Sequence, residues 1–230
     1  MFDKIILNIP HSSTLFPTMS SKNSWNDINN LDDEIKIWSD HFTDDIFESK
    51  LDLNIVTVKY PFSRFYCDVE RLQDDILENI GHGIIYNKSN NKLERLLSDS
   101  EKGIILGSYN YHHFNLSKEV IKNSLIIDCH SFPSNLSDVD ICIGFNDDET
   151  KPSDEIIDKI NKFFIIRGFK VGINNPYSNS ICVNSDLNYK SIMIEVNKKL
   201  YMDEERMVKH SYFYKINHLM NSLYKILLNE

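Results

Sequence analysis

Short apolar segments alternate with segments of helical period along this chain, and that alternation is what most constrains the fold. Six segments rich in Ile and Val are too short for typical helices and are predicted to be strands. They are Ile5–Ile9, Asn54–Lys59, Ser124–Asp128, Asp140–Gly144, Lys170–Ile173 and Ser191–Val196. Strands alternating with helices predict an α/β fold, in which helices flank a mixed, mostly parallel sheet.

Apolar residues at helical spacing predict the helices. The predicted ranges are Asp32–Lys50, Asn115–Lys122, Ser153–Arg167 and Glu204–Leu228. In the third of these, Ser153 stands at the N-cap, acidic residues follow, and one face is apolar. Residues 76–107 lack a clear pattern and are predicted to be an irregular excursion, a candidate lid from which His82 could reach a site.

Length, charge and cysteine usage limit the classes of protein. A chain of 230 residues is long enough for one substantial core, so we expect a single domain over residues 1–230. A net charge of -9 argues against nucleic acid as a partner. No apolar run is long enough for a signal peptide or a membrane span, and the four cysteines form no CxxC pair. We therefore expect a cytoplasmic protein that acts on a small molecule or peptide, with its oligomeric state open.

Two histidines follow predicted strands directly, namely His11 and His130. The carboxyl ends of strands are where α/β proteins keep their sites, so the two imidazoles could meet around one metal ion. Asp128, two residues before His130, could orient that ring. A hydrolytic metal usually has three protein ligands, and Asp40 is the leading candidate for the third. The alternative is that either histidine is a hydrogen-bonded structural residue.

A carboxylate interrupts the last predicted strand at Glu195. The functional interpretation is a general base beside a metal. The structural interpretation is a glutamate that is paired with an arginine or lies on a half-exposed face. Two arginines, Arg64 and Arg71, lie among aromatic residues. They could bind a substrate carboxylate in a two-pronged manner, or they could satisfy Asp68 or Glu70. The spacing alone leaves both alternatives open.

Several different short motifs follow one another over most of the chain. They are Ile9–Ser13, Asp40–Ile46, Ser63–Arg71, His113–Leu116, Asp128–Ser131, Asp140–Gly144, Asn175–Tyr177, Ile194–Asn197 and Leu200–Asp203. No single tetrapeptide is specific, but their order resembles that of the N-formylglutamate amidohydrolase family, a group of metal-dependent deformylases and related hydrolases. The resemblance implies a zinc-carboxypeptidase-like (phosphorylase/hydrolase-like) α/β fold.

The resemblance also implies a metal centre. It makes His11 and His130 ligands of one divalent ion, with Zn²⁺ as the expected metal. Asp40 would be the carboxylate ligand, although Asp44, one predicted helical turn later on the same face, could serve instead. Glu195 would activate water and then protonate the leaving amine.

On the substrate side, the resemblance makes Arg64 and Arg71 ligands of the substrate carboxylates. It makes His113 a group that stabilises the oxyanion or donates a proton, and it assigns Asn175 and Tyr177 to substrate binding. The implied reaction is hydrolysis of N-formylglutamate to formate and glutamate.

Departures from the family pattern affect the substrate side more than the metal side. The segment Ser178–Ser180 replaces a Gly-Gly pair, Ser13 stands where glycine is usual, and Val69–Arg71 replaces Leu-Asn-Arg. A related N-acyl amino acid or small peptide is therefore an alternative substrate. Two other classes are alternatives: a catalytically silent binding domain, and a cysteine hydrolase that uses Cys129 with His130. The second is disfavoured because adjacent residues of a strand point to opposite faces.

Overall fold

Strands and helices alternate along the chain in this computed structural model, which describes residues 1–89 and 93–228. The strands are β1 (Lys4–Ile9), β2 (Ile55–Lys59), β3 (Lys88–Ser89), β4 (Leu93–Glu94), β5 (Ser124–Phe132), β6 (Ile141–Gly144), β7 (Val171–Ile173), β8 (Tyr189–Asn197), β9 (Met202–Asp203) and β10 (Val208–Lys209). The α-helices are α1 (Met19–Lys22), α2 (Ile28–Trp38), α3 (Thr43–Ile46), α4 (Asp99–Glu119), α5 (Asp154–Ile165) and α6 (Phe213–Leu228).

The largest sheet has six strands in the order β2-β1-β5-β8-β6-β7. Only the β6–β8 pair is antiparallel; the other four pairs of neighbours are parallel. Each of these strands overlaps one of the six predicted from Ile- and Val-rich segments. The predicted fold class, a mixed and mostly parallel sheet flanked by helices, is therefore confirmed.

Strand β5 is longer than predicted. The sequence places its end at Asp128, but β8 pairs with it as far as Phe132, where the partner is Asn197. The continued pairing keeps His130 inside the strand, whereas the sequence predicted it just past the strand end. As a consequence, the direction of the His130 side chain is set by the pleat of the sheet.

The two faces of the sheet differ in chemistry because side chains alternate along each strand. One face carries Leu7, Ile127 and Ile194 and packs on apolar side chains of α5 and α6 to form the main core. The opposite face carries apolar residues such as Ile126, but also buried polar groups near the carboxyl ends of β1 and β5. This polar face is where the sheet can support chemistry.

The predicted helix Asp32–Lys50 is wrong as one continuous element. Helix α2 ends at Trp38, Ser39 is extended, and Phe42 has a φ of 64° before α3 begins at Thr43. A left-handed residue cannot continue a right-handed helix. Asp40 and Asp44 therefore do not lie one turn apart on a common helix face.

Residues 76–89 and 93–98 contain a short 3-10 helix (Ile76–Ile80) and the two-residue strands β3 and β4, and the irregular excursion predicted there stays a prediction; its residues 90–92 lie outside the described residues. From Asp99 onward a helix replaces it, because α4 begins there and continues to Glu119. The prediction recognised only Asn115–Lys122 because Gly103 and Gly107 disfavour a helix. The predicted helix Ser153–Arg167 is confirmed as α5, whereas Glu204–Leu228 forms a helix only from Phe213.

Contacts divide the chain into two compact units. The first comprises Met1–Ile9, Phe42–Lys59 and the chain from Leu116 onward, and it contains the six-stranded sheet. The second comprises Pro10–His41 and Tyr60–Asn115, segments that follow β1 and β2 directly in sequence. The single domain expected over residues 1–230 stays a prediction.

The cysteines lie mostly in the interior of the protein. All four cysteines are free thiols, and three of them, Cys67, Cys129 and Cys142, are buried. Burial raises the pKa of the Cys67 thiol to about 12, which keeps it protonated.

Within residues 1–89 and 93–228, no helix has both the length and the apolar character needed to cross a membrane.

Candidate functional site

Four buried polar residues occupy the polar face of the sheet, and we call them the sheet cluster: Asn8, Asp128, His130 and Glu195. Asn8 Nδ2 donates to Asp128 Oδ1 over 2.8 Å, and the Ile181 backbone N–H donates to Asp128 Oδ2 over 3.0 Å. Nε2 of His130 lies 3.2 Å from the same Oδ1. The predicted role of Asp128 in orienting the His130 ring is consistent with this geometry.

Glu195 and His130 are neighbours on this face because they are paired in the register of the parallel strands β5 and β8. Paired residues of adjacent strands project their side chains to the same side, about 5 Å apart at the backbone. Cys129, next in sequence, points into the opposite, apolar core. Glu195 is only 7% exposed, so it is held within the protein next to an imidazole.

In the second unit, a single carboxylate organises a cluster that we call the Asp68 cluster: His11, Arg64, Asp68, Arg71 and Tyr86. Oδ1 of Asp68 accepts from His11 Nε2 over 2.8 Å. Oδ2 accepts from Arg64 Nη2 over 2.9 Å and from the Tyr86 hydroxyl over 2.8 Å, and it lies 3.5 Å from Arg71 Nε. Asp68 is completely buried, so these contacts replace its hydration.

The charge state of the Asp68 cluster follows from these contacts. Burial would raise the pKa of Asp68, but the charge of Arg64 and the interactions with His11 hold it well below its usual range. Burial raises the pKa of Tyr86, so its hydroxyl stays protonated and donates. An ionised carboxylate can only accept, so Nε2 of His11 carries a proton and donates it to the hydrogen bond with Asp68.

His11 and Asp40 are brought together within this unit. The Asp40 backbone N–H donates to the His11 carbonyl over 2.9 Å, and His11 Nδ1 lies 3.9 Å from Asp40 Oδ2. Both residues are buried: His11 is 2% exposed and Asp40 is 4% exposed. Two atoms bound to one Zn²⁺ at about 2.1 Å lie less than about 4.2 Å apart, so this spacing is compatible with shared ligation.

Asp44, the alternative carboxylate, is placed differently. It lies in the first turn of α3 in the first unit, is partly exposed, and forms an ion pair with Lys59. Its charge is therefore already matched by a lysine at the surface. This environment favours Asp40 as the candidate metal ligand.

His113 lies on α4, where its Nε2 and the carbonyl of Val69 are 2.8 Å apart. A carbonyl can only accept, so Nε2 carries a proton. The ring also packs on Tyr109 with a centroid distance of 4.3 Å. A neutral His113 has no second N–H, so proton donation by Nδ1 would require the doubly protonated ring.

Asn175 and Tyr177 lie in the first unit, in a loop that follows β7. Asn175 is exposed and precedes Pro176 through a cis peptide bond, whereas Tyr177 is half-buried with its ring 6.1 Å from that of Phe132. A Cβ built at Gly172 would come within 2.0 Å of the Asn175 carbonyl oxygen. Glycine at position 172 therefore permits the close approach of this loop.

Substituting Gly172→Ala is expected to destabilise the protein by about 1–3 kcal/mol, because the added methyl group overlaps backbone that must move. Gly103→Ala is the matched control, since a Cβ at Gly103 meets nothing within 4 Å, and we expect it to be neutral or stabilising. Urea unfolding measures both. Equal midpoints for Gly172→Ala and the unmodified protein would show that the loop adapts at no cost.

Sequence reasoning did not identify Asp68 and Tyr86 as members of a site. From the sequence, Asp68 was only a possible partner of Arg64 or Arg71, and the structure places both guanidinium groups near the same oxygen of Asp68. The available signal was an acidic residue close to Arg64 in the same short segment. Tyr86 has no such signal, because it lies 18 residues away and meets Asp68 only through the fold.

A mixed, mostly parallel sheet with buried polar side chains near the carboxyl ends of its strands is typical of α/β enzymes. The crystal structure of an N-formylglutamate amidohydrolase from Ralstonia eutropha JMP134 shares the fold, with a TM-score of 0.77, 19% identity, and coverage of 99% of this chain and 92% of the other. The gene product Atu2144 from Agrobacterium tumefaciens is similar, with a TM-score of 0.67, 16% identity, and coverage of 98% and 92%.

A sequence model of N-formylglutamate amidohydrolase matches residues 3–202. The chain belongs to the N-formylglutamate amidohydrolase family. No functionally curated protein matches it. The family resemblance read from the short motifs is thus confirmed.

Proposed function

We propose that this protein is a metal-dependent hydrolase that cleaves the amide bond of an acidic N-acyl amino acid, with N-formylglutamate, giving formate and glutamate, as the first substrate to test. One observation carries the proposal beyond family membership. Each of two buried histidines, His11 and His130, has its Nε2 next to a buried carboxylate, at 2.8 and 3.2 Å. Metal-binding histidines are typically oriented in this way.

His11, Asp40 and His130 would hold the metal. Two imidazoles and one carboxylate are a donor set that suits Zn²⁺ in a hydrolytic site. The connectivity of the chain supports their sharing one ion, because β1 lies beside β5, with Asn8 paired to Asp128, and His11 follows the end of β1 by two residues. The Cα of His11 is therefore within about 7 Å of that of Ile9.

Glu195 acts as the general base in the proposed mechanism. When bound, a divalent ion would polarise the scissile carbonyl and acidify a water molecule. Glu195 takes the proton of the attacking water and then delivers it to the leaving amine. Its burial and its place beside His130 in the register support this role, because a fixed carboxylate needs no reorganisation before it accepts a proton.

Arg64 and Arg71 bind the carboxylates of the substrate in this proposal. Asp68 provides one negative charge against their two positive charges, so the pair keeps an excess positive charge that suits an anion. Asn175 and Tyr177 complete the substrate side, as the family resemblance implies. His113, with Nε2 engaged by Val69, stabilises the oxyanion or donates a proton only in its protonated form.

The proposal is tested by measuring the metal content of the purified protein and then screening N-acyl amino acids for release of the free amine. We expect about one divalent ion per chain and turnover of N-formylglutamate above that of N-formylglutamine. Protein without a bound metal that still hydrolyses the substrate would contradict metal dependence. A metal-free protein with no turnover would favour the catalytically silent alternative.

Removing either proposed imidazole ligand is expected to abolish metal retention. With His11→Ala or His130→Ala, two protein ligands remain, and the bound metal should be lost on dialysis against a chelator that leaves the unmodified protein loaded. His218→Ala, at an exposed position of α6, is the control. Elemental analysis by mass spectrometry provides the readout, and full retention in either variant would remove that residue from the ligand set.

A further inference from the structure

The Gly81–Gly83 segment places one histidine in a fixed position within the second unit. The His82 backbone N–H donates to the Leu77 carbonyl over 2.9 Å, and the Gly81 carbonyl accepts from the Asn87 N–H over 3.0 Å. Gly81 has a φ of 89°, which glycine adopts without strain. These hydrogen bonds hold the backbone of His82, which follows the short 3-10 helix Ile76–Ile80.

The ring of His82 stacks on Tyr86, with centroids 5.0 Å apart and an angle of 13° between the planes. Tyr86 in turn donates to Asp68, the carboxylate shared with Arg64 and Arg71. His82 is thus one aromatic ring away from the centre of the Asp68 cluster. It is half-buried, and within residues 1–89 and 93–228 its ring nitrogens have no hydrogen-bond partner.

The charges that act on His82 are mainly positive. Burial and then the charges of Arg71 and Arg64 lower its pKa, and the opposing effects of Glu34 and Asp68 are smaller. The ring is therefore neutral at pH 7, with one N–H donor and one acceptor nitrogen. Such a ring can donate to a carboxylate without adding charge repulsion to the two guanidinium groups.

We propose that His82 is a specificity-determining residue that donates a hydrogen bond to the side-chain carboxylate of the substrate, alongside Arg64 and Arg71. This inference rests on the proposed function and extends it. The position is suited to the role, because a ring with available nitrogens stacks on Tyr86, which shares the Asp68 carboxylate with the two arginines. An amide at the same position of the substrate would lack the negative charge that strengthens this hydrogen bond.

The test compares N-formylglutamate with N-formylglutamine, which has nearly the same shape but no side-chain charge. In His82→Ala we expect the ratio of their kcat/KM values to fall about ten-fold, since a hydrogen bond to a charged group contributes roughly that much. The fall should come from KM for the acidic substrate, with unchanged metal content. His82→Gln, which keeps a donor, should recover part of the ratio, and His218→Ala should leave it unchanged.

A binding measurement separates this proposal from the proposed function. Calorimetry with glutamate and with glutamine should show that His82→Ala weakens binding of glutamate selectively. Equal losses for both substrates, or for both amino acids, would overturn the role of His82 while leaving the hydrolase assignment intact. If the unmodified protein hydrolyses neither substrate, the proposed function fails. In that case, glutamate binding that is unchanged in His82→Ala would also overturn the proposed role of His82.

Discussion

Replacing Glu195 with glutamine is expected to lower kcat by about 10²- to 10⁴-fold while the protein stays folded and keeps its metal. Glutamine has nearly the same shape as glutamate, but its amide cannot accept the proton of the attacking water. Glu195 is buried beside His130 in the register of β5 and β8. We therefore expect that the other carboxylate of the sheet cluster, Asp128, does not take over its role. The loss should appear in kcat more than in KM.

Single-turnover kinetics and metal analysis of Glu195→Gln provide the measurement. Glu155→Gln is the matched control, because Glu155 lies in the first turn of α5 and is exposed. A rate within three-fold of the unmodified enzyme would remove Glu195 as the base. Loss of the metal in Glu195→Gln would instead indicate that this carboxylate helps to hold the ion.

Substituting Asp68→Asn is expected to cost about 3–5 kcal/mol in the free energy of unfolding. The neutral amide cannot balance the charges of Arg64 and Arg71, and its NH₂ group would face donors from His11 or Tyr86. Partly buried guanidinium groups without a counter-charge are strongly destabilising. The same change should weaken metal binding about 10- to 100-fold, because the His11 ring loses the carboxylate that orients it.

Urea unfolding and metal titration measure these two effects. Asp158→Asn is the control, since Asp158 forms an exposed pair with Lys162 on α5 that contributes little. A loss of less than about 1 kcal/mol in Asp68→Asn would show that the arginines find other partners. Unchanged metal affinity would show that Asp68 does not act through His11.

The sheet could be predicted from the sequence because its strands are read from local composition. All six strands of the sheet are short Ile- and Val-rich segments, and such segments are buried in a sheet covered on both faces. Helix α5 was predicted for a similar reason, since its apolar stripe faces the core. By contrast, α4 was largely missed, because Gly103 and Gly107 lower its local helix propensity.

The candidate site was predicted as a set of residue types, but not as a network. His11 and His130 were predicted because they follow predicted strands, where α/β proteins keep their sites, and Asp40 was predicted as the third ligand that a hydrolytic metal needs. Glu195 was predicted because a carboxylate within an apolar strand is costly unless it has a role or a partner. The sequence left open whether Arg64 and Arg71 pair with Asp68, and it contained no signal for Tyr86. Those contacts join residues up to 57 positions apart, such as His11 and Asp68, so local patterns do not encode them.

The amino-acid sequence by itself determined the class of fold, the family and the residue types available for chemistry, because apolar periodicity and ordered motifs are local properties of a chain. The tertiary structure decided which of these residues meet. It extended β5 so that His130 lies beside Glu195, and it separated Asp40 from Asp44 at Phe42. It also placed three donor side chains and Arg71 around Asp68, because a buried carboxylate must replace its lost hydration with whatever partners the packing of distant segments supplies.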